Sequence, residues 1–463
     1  MRADPDLTAV ALIEAYRNGS LTPPAVMEAV LARVATREPE LCALWALDAD
    51  AAMAEAERSA ERWRRGAPRG PLDGVPVTVK ENIATRGVPV PLGTAATELV
   101  PATADAPPAA RLREAGAILF AKTTMPDYGM LSSGLSSFHA LARNPWDISR
   151  NPGGSSAGAA AAAAAGYGPL HLGTDIGGSV RLPAGWCGLV GLKPSHGRVP
   201  VDPAYLGRVA GPMTRTVADA ALMMRVLSGP DWRDPTALPP QAIDWSNLEH
   251  DLRGQRIGLM LEIGAGMEPD AATLDAVAAA AALFASAGAV VETVPALLTR
   301  AMLDGIDDFW RVRAWDDLSR LPEERRARVL PYIRAWAGSG AHRSGLDVMR
   351  GYNRTMEMRN AAAALFRDHD FILSPTAPCL AFAAGSASPL DDPERPFEHI
   401  GYTVAWNMAE NPAISINCGY GAGGLPIGLQ IAGRRFDDPG VLRLARFVER
   451  YRPAQRPWPT EPR

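Results

Sequence analysis

Residues 157–165 read Ala-Gly-Ala-Ala-Ala-Ala-Ala-Ala-Ala, a stretch almost without side chains. Alanine is the strongest helix former, so the run predicts a helix. A helix this smooth has little side-chain surface to bury, and it gains tertiary support only where a flat partner comes close. A β-sheet is such a partner. Glycine turns bracket the run: Gly153-Gly154-Ser155-Ser156 precedes it and Gly177-Gly178-Ser179 follows it. The chain is therefore held to a fold in which a sheet, a close-packed helix and two Ser-bearing turns meet. Ser156 is expected to cap the helix.

The pattern elsewhere is α/β. Residues 6–65 predict two or three helices, with Leu7-Thr8 capping the first. Residues 71–83 predict strands with a Pro-Leu-Asp-Gly turn. A helix over 105–116 stops at Gly116 before the short strand 117–120. Residues 228–240 are a Pro-rich loop. Strand 256–260, helix 270–288 and strand 289–293 form a unit that favours parallel strands and a right-handed crossover. Residues 297–370 are mainly helical, 371–375 return as a strand, and 383–398 form a loop. Residues 413–417 and 426–431 pair as a hairpin, and a last helix covers about 438–451. No internal repeat interrupts this order.

Of the 47 basic residues only Lys80, Lys122 and Lys193 are Lys. A bias that turns nearly every Lys into Arg spares positions where Arg cannot act, and a buried Lys, unlike Arg, can give up its proton. Lys80 ends the apolar, β-rich run Gly74-Val-Pro-Val-Thr-Val-Lys80. A neutralisable Lys beside two Ser on glycine turns has the parts of a Ser–Ser–Lys nucleophilic apparatus, because a Ser hydroxyl needs an adjacent base. Lys122 and Lys193 read as structural.

Charge and cysteine usage exclude other classes. A net charge of −4 and a pI near 6.0 disfavour nucleic acid and anionic membranes as partners. No apolar run reaches membrane-spanning length. The start, Met-Arg-Ala-Asp-Pro-Asp-Leu, lacks the apolar core of a signal peptide, so a cytoplasmic location is expected. Cys42, Cys187, Cys379 and Cys418 have neither metal nor redox spacing. Asp368-His369-Asp370 is the nearest approach to a metal motif and sits at a predicted helix end. No cofactor and no metal are expected.

Thr174-Asp-Ile-Gly-Gly-Ser-Val-Arg-Leu-Pro-Ala184 with Gly188-Leu-Val-Gly-Leu-Lys-Pro-Ser-His-Gly-Arg198 resembles the signature of the amidase signature hydrolases. Lys80-Glu-Asn, Arg143-Asn-Pro-Trp-Asp147, Gly153-Gly-Ser-Ser, Gly211-Pro-Met-Thr-Arg215 and Gly424-Leu-Pro-Ile-Gly-Leu-Gln430 extend the resemblance over roughly residues 5–450. It implies an α/β/α sandwich with a large mixed central sheet, as one domain over 1–463. That domain comprises N-terminal helices (about 5–65), a core (about 66–228 and 252–452) and a helical substrate-side segment (about 297–370). The resemblance also implies Ser179 as nucleophile, Ser155 as bridging Ser after a cis bond from Gly154, and Lys80 as terminal base. Asp175 and Arg181 would support the nucleophile.

The backbone N–H groups of Ile176, Gly177, Gly178 and Ser179 are expected to hold the oxyanion. Tyr128, Gly129, Met130 and Ser132 face the nucleophile by the same resemblance, and Arg208 with Tyr205 marks a mouth over 200–210. Phe138, Trp186, Trp310, Trp315 and Trp336 join Tyr128 and Met130 as candidates for an apolar wall. The expected function is hydrolysis of small hydrophobic or aryl amides through an acyl-enzyme, esters and carbamates included.

Three alternatives stand beside it: the A-type component of a glutamine-using tRNA amidotransferase, working with partner chains; a ureide or carboxybiuret hydrolase; and a catalytically silent scaffold. The short connection from Arg198 to Gly211, and His399-Ile-Gly-Tyr402 where an acidic residue is expected, disfavour glutamine. A homodimer is a family-level expectation.

Overall fold

The computed structural model describes residue 4 and residues 6–461. Three helices open the chain, Ala9–Asn18, Pro23–Leu41 and Ala49–Arg64, and Thr8 Oγ1 caps the first by accepting from Ala11 N–H at 3.1 Å. The strands are β1 (Leu44–Trp45), β2 (Pro76–Lys80), β3 (Ile118–Thr123), β4 (Leu170–Asp175), β5 (Val190–Lys193) and β6 (Val209–Thr214). They continue as β7 (Arg256–Leu259), β8 (Val290–Thr293), β9 (Phe371–Pro375), β10 (Ala413–Tyr420) and β11 (Pro426–Gly433). All eleven join one sheet in the order β1-β3-β2-β4-β6-β5-β10-β11-β9-β7-β8. The ladders β3–β2–β4 and β9–β7–β8 are parallel and the rest antiparallel, so the sheet is mixed.

Helices cover both faces. On one, Pro107–Glu114, Val217–Leu227, Ala271–Ser286 and Asp438–Tyr451 bury Leu112, Met224, Phe284 and Leu444 with Val77, Val79 and Ile416. On the other lie Ala157–Ala165, Arg181–Trp186, Arg300–Ser319 and Gly345–Asp368. Strand alternation explains why Lys80 is where it is. Val77 and Val79 enter the first core, so Thr78 and Lys80 face the opposite side, where the alanine helix begins. That helix packs close because it lacks side chains: a Cβ on Gly158 would stand 2.1 Å from Ala43 O and 2.5 Å from Thr124 N.

The structure differs from the sequence reading in a few elements. Within 71–83 the expected turn forms at Pro71–Gly74, and the strand is confined to Pro76–Lys80 because the chain turns again at 81–83. β4, β5 and β6 carry little strand signal of their own: β4 includes His171, Gly173 and Asp175, and β6 includes Gly211 and Pro212. Backbone pairing in this fully buried centre of the sheet overrides those weak propensities. Asp368 and His369 close the Gly345–Asp368 helix, where His369 Nδ1 bonds Leu365 O at 3.0 Å. Among the described residues no helix is long and apolar enough to cross a membrane.

Candidate active site

Lys80 is fully buried at the end of β2. Its Nζ donates to Ser155 Oγ at 2.7 Å and to Ser156 Oγ at 3.1 Å. Burial disfavours the ammonium form, and the positive charge of Arg208 adds to this, so the Lys80 pKa falls to about 7. A large neutral fraction of the amine is therefore present near neutral pH. The peptide bond between Gly154 and Ser155 is cis. Ser156 makes no capping bond at the helix start, which corrects the sequence reading. Its hydroxyl donates to Thr174 O at 3.2 Å and accepts from Thr174 N–H at 3.3 Å. With that proton directed at Thr174 O, Ser156 presents a lone pair to Lys80.

The second glycine turn is framed by a buried ion pair. Arg181 Nε and Nη2 each donate to Asp175 at 3.0 Å. Arg181 also donates to Thr403 O at 2.9 Å and to Gln430 Oε1 at 2.8 Å. Burial alone would raise the Asp175 carboxyl, but the Arg181 guanidinium and Asn407 outweigh it and hold the carboxyl well below the usual range. Asp175 Oδ1 accepts from Gly178 N–H at 2.8 Å and Oδ2 from Val180 N–H at 3.1 Å. Gly178 sits at φ 127°, and a Cβ there would meet Thr403 Oγ1 at 2.5 Å. The Gly178 N–H expected to face an oxyanion is thus occupied by Asp175, because the carboxylate reaches under the turn. The N–H groups of Ile176, Gly177 and Ser179 form no such bond among the described residues.

The two turns are joined by Ser156 N–H, which donates to Ser179 O at 3.2 Å. Ser155 and Ser179 open on the same cavity of about 440 Å³, with no hydrogen bond between their hydroxyls. Tyr128, Gly129 and Met130 form the opposite wall. Tyr128 is held at φ 52°, its N–H donating to Leu92 O at 2.7 Å. Gly129, at φ 70°, passes so close that a Cβ would lie 3.2 Å from Ser155 Oγ.

A narrow crevice runs from Ser179 past Ile176 and Gly177 to Trp310, Phe397 and Ile400. Ser132 and Met130 line it as well, while Arg208 lines the larger cavity and Arg313 lines both.

Of the proposed apolar wall, Tyr128, Met130 and Trp310 reach these spaces. Phe138 instead packs edge-on against Trp45, and Trp186 is buried against Phe382 with its Nε1 donating to Cys379 O at 2.8 Å. Trp336 donates to Asp307 at 2.8 Å, and Trp315 lies beneath Arg326. Sequence reasoning missed Arg313, Phe397 and Ile400. Arg313 had a signal: it stands one helical turn after Trp310, on the same face. At the position where an acidic residue was expected, burial drives the His399 pKa to about 3 and keeps it neutral, while Ile400 lines the crevice.

Comparison with known proteins gives a consistent frame. The family model Amidase matches residues 25–442. The chain is 35% identical over 479 residues to the A-type component of the glutamyl-tRNA(Gln) amidotransferase of Chloroflexus aggregans, covering 96% of each chain. Among solved structures, a bacterial aryl acylamidase of the amidase signature enzymes superposes with TM-score 0.88 at 29% identity, covering 96% of each chain. A 6-aminohexanoate cyclic dimer hydrolase superposes with TM-score 0.87 at 25% identity, covering 98% of each.

Proposed function

The chain belongs to the amidase family of enzymes acting on C–N bonds, and from that premise we propose that it hydrolyses small amides with an apolar or aryl acyl group through an acyl-enzyme on Ser179. Carbamates and esters fall within the same chemistry. The observation that carries the reading is the buried amine of Lys80, 2.7 Å from Ser155 Oγ, at the back of a cavity shared with Ser179.

In this reading neutral Lys80 accepts the Ser155 proton while Ser155 takes that of Ser179. Ser179 Oγ then adds to the substrate carbonyl. The N–H groups of Ile176, Gly177 and Ser179 hold the oxyanion, and losing one such donor typically costs on the order of 10²–10³ in rate. As the C–N bond breaks, Ser155 protonates the leaving amine and recovers a proton from Lys80. Water, deprotonated by the same relay, cleaves the acyl ester and restores Ser179. Asp175 and Arg181 keep the turn in shape and exchange no proton.

The narrow crevice beside Ser179 suits a flat or short apolar acyl group. Trp310 and Ile400 would close on it, and apolar burial contributes about 25 cal/mol per Å². A second reading, an amidotransferase component of the A type working with partner chains, is favoured by the 35% identity to such a protein. An uncharged His399 and the apolar Ile400 at the crevice count against glutamine as the substrate.

The test is turnover of 4-nitroacetanilide, a 4-nitrophenyl ester, an N-aryl carbamate, glutamine and a ureide by wild type and Ser179→Ala. Anilide or carbamate hydrolysis that disappears in the variant supports the proposal. Hydrolysis of glutamine alone, with copurifying partners, replaces it with the amidotransferase. Hydrolysis of the ureide alone replaces it with a ureide hydrolase.

A further inference from the structure

Two guanidinium groups face the larger cavity, and among the described residues no carboxylate stands in salt-bridge contact with either. Arg208, just before β6, and Arg313, on the Arg300–Ser319 helix, both line it. Among the described residues neither forms a salt bridge within 4.0 Å. Arg208 Nη1 donates to the carbonyl of Pro203 at 3.1 Å. Arg313 lies over the Tyr205 ring, 3.9 Å from its centroid. An aromatic face holds a guanidinium by its plane and leaves the N–H edge free to bind. Asp202 and Asp317 also reach the cavity and act through space, Asp202 on Arg208 and Asp317 with Arg313, but both are exposed and neither comes within 4.0 Å of the guanidinium. Burial, with the like charge of Arg313, brings the Arg208 pKa down to about 10. Two partly buried cations kept near each other and unpaired are costly unless an anion bridges them.

The lining residues say which half of the substrate carries that anion. Ser155, which in the reading above protonates the leaving amine, lines the larger cavity and not the narrow crevice. The amine half therefore extends into the larger cavity, toward Arg208, and the acyl half into the crevice, toward Trp310 and Phe397, with Arg313 standing where the two spaces meet. We propose that Arg208 and Arg313 clamp a carboxylate on the amine half, so that the substrates are N-acylated amino acids or aminobenzoates. The inference rests on the acyl-enzyme reading for its orientation, but the clamp is a matter of binding. Guanidinium–carboxylate pairs are bidentate where geometry allows, and partial solvent access reduces their contribution.

The test compares 4-acetamidobenzoate with its neutral counterpart 4′-methylacetanilide. Binding to Ser179→Ala is measured by calorimetry at low and high salt. The ratio of kcat/KM values for the two compounds is measured in wild type, Arg208→Gln, Arg313→Gln and Arg208→Lys. The expected result is a preference of about tenfold or more for the anion. It narrows with salt, falls toward unity in both Gln variants and is partly kept in Arg208→Lys. Circular dichroism of each variant checks that it folds. Equal binding of the two compounds, a preference that survives both Gln substitutions, or binding of neither overturns the clamp. Arg-dependent binding of the anion without turnover by wild type upholds the clamp and removes these anilides from the proposed activity. Turnover of both without preference does the reverse.

Discussion

Lys80 Nζ stands 2.7 Å from Ser155 Oγ, and Ser156 makes that contact directional. A neutral amine has two N–H donors and one lone pair. Because Ser156 commits its own proton to Thr174 O, it can only accept from Lys80, so in the neutral amine the lone pair has Ser155, which otherwise accepts from Nζ, as the hydroxyl to take a proton from.

Replacing the proposed nucleophile should abolish the chemistry and spare the fold. Ser179→Ala is expected to lower kcat about 10⁴-fold or more. Intact-mass spectrometry after a fluorophosphonate should show one adduct on wild type and none on the variant. An adduct on both would move the nucleophile elsewhere.

The rate should follow the protonation of Lys80. Its neutral form is the competent one, so kcat/KM is expected to fall about tenfold per unit below an apparent pKa of about 7 and to level off above it. The positive charge of Arg208 helps depress that pKa. Arg208→Gln should therefore move the acid limb to higher pH, as a pH–rate profile would register. An unmoved limb would separate Arg208 from Lys80.

Ser156→Ala tests positioning. Losing the acceptor should let the amine swing off Ser155 and reduce kcat roughly ten- to a hundredfold with little change in KM. The lost acceptor also served the ammonium form, so the acid limb should not shift upward. A kcat within twofold of wild type would make Ser156 a packing residue only.

Trp310 closes the crevice, and a Cβ on Gly177 would stand 3.1 Å from its ring. Trp310→Ala should shift acyl preference from acetyl toward benzoyl, by about tenfold or more in relative kcat/KM, at a stability cost of about 3–5 kcal/mol. An unchanged ratio across a series of anilides would place the acyl group elsewhere.

Lys122 offers a stability test apart from the cavity. It is buried, bonds Ile83 O and lies 3.1 Å from Thr85 Oγ1, and burial lowers its pKa to about 7. Below pH 7 both folded and unfolded states carry the charge, and folding bears the full burden of burying it. Between about pH 7 and the ordinary lysine value of 10.5 the unfolded chain binds the extra proton. Stability therefore gains from this group as pH rises through that window, by about 1.4 kcal/mol per pH unit. Lys122→Met should remove that slope in denaturant titrations at about pH 7.5 and 9. Parallel slopes for the two proteins would mean that Lys122 stays charged.

The local chemistry of this chain was legible where it is written in rare residues. Lys80, one of three Lys among 47 basic residues, and two Ser on glycine turns pointed to one place: Lys80 bonds Ser155, and Ser155 and Ser179 line one cavity. The alanine run announced its helix with the right bounds, and the hairpin around Gly421–Gly424 showed in its glycines. The strands β4, β5 and β6 did not show, since His171, Gly173 and Pro212 have the wrong propensities and pairing alone makes them strands. The pocket walls were least legible. Phe397 and Ile400 lie more than two hundred residues from Ser179, and nothing local distinguishes a Trp that lines a cavity from one that fills a core. Ser156 was misread because a Ser before a helix usually caps it, whereas here a buried amine competes for the hydroxyl.

The tight seat of the Ala157–Ala165 helix divides the molecule into regions of unequal evolutionary freedom. With Gly158 pressed against Ala43 and Thr124, an enlargement there would break the Gly158 N–H bond to Thr124 O and lift the helix that begins just after Ser155 and Ser156. The Arg300–Ser319 helix and the 397–400 segment touch the same reaction centre from outside the frame. A change of substrate is therefore easiest to build at those outer walls, where a side chain can be exchanged without moving Lys80 off Ser155.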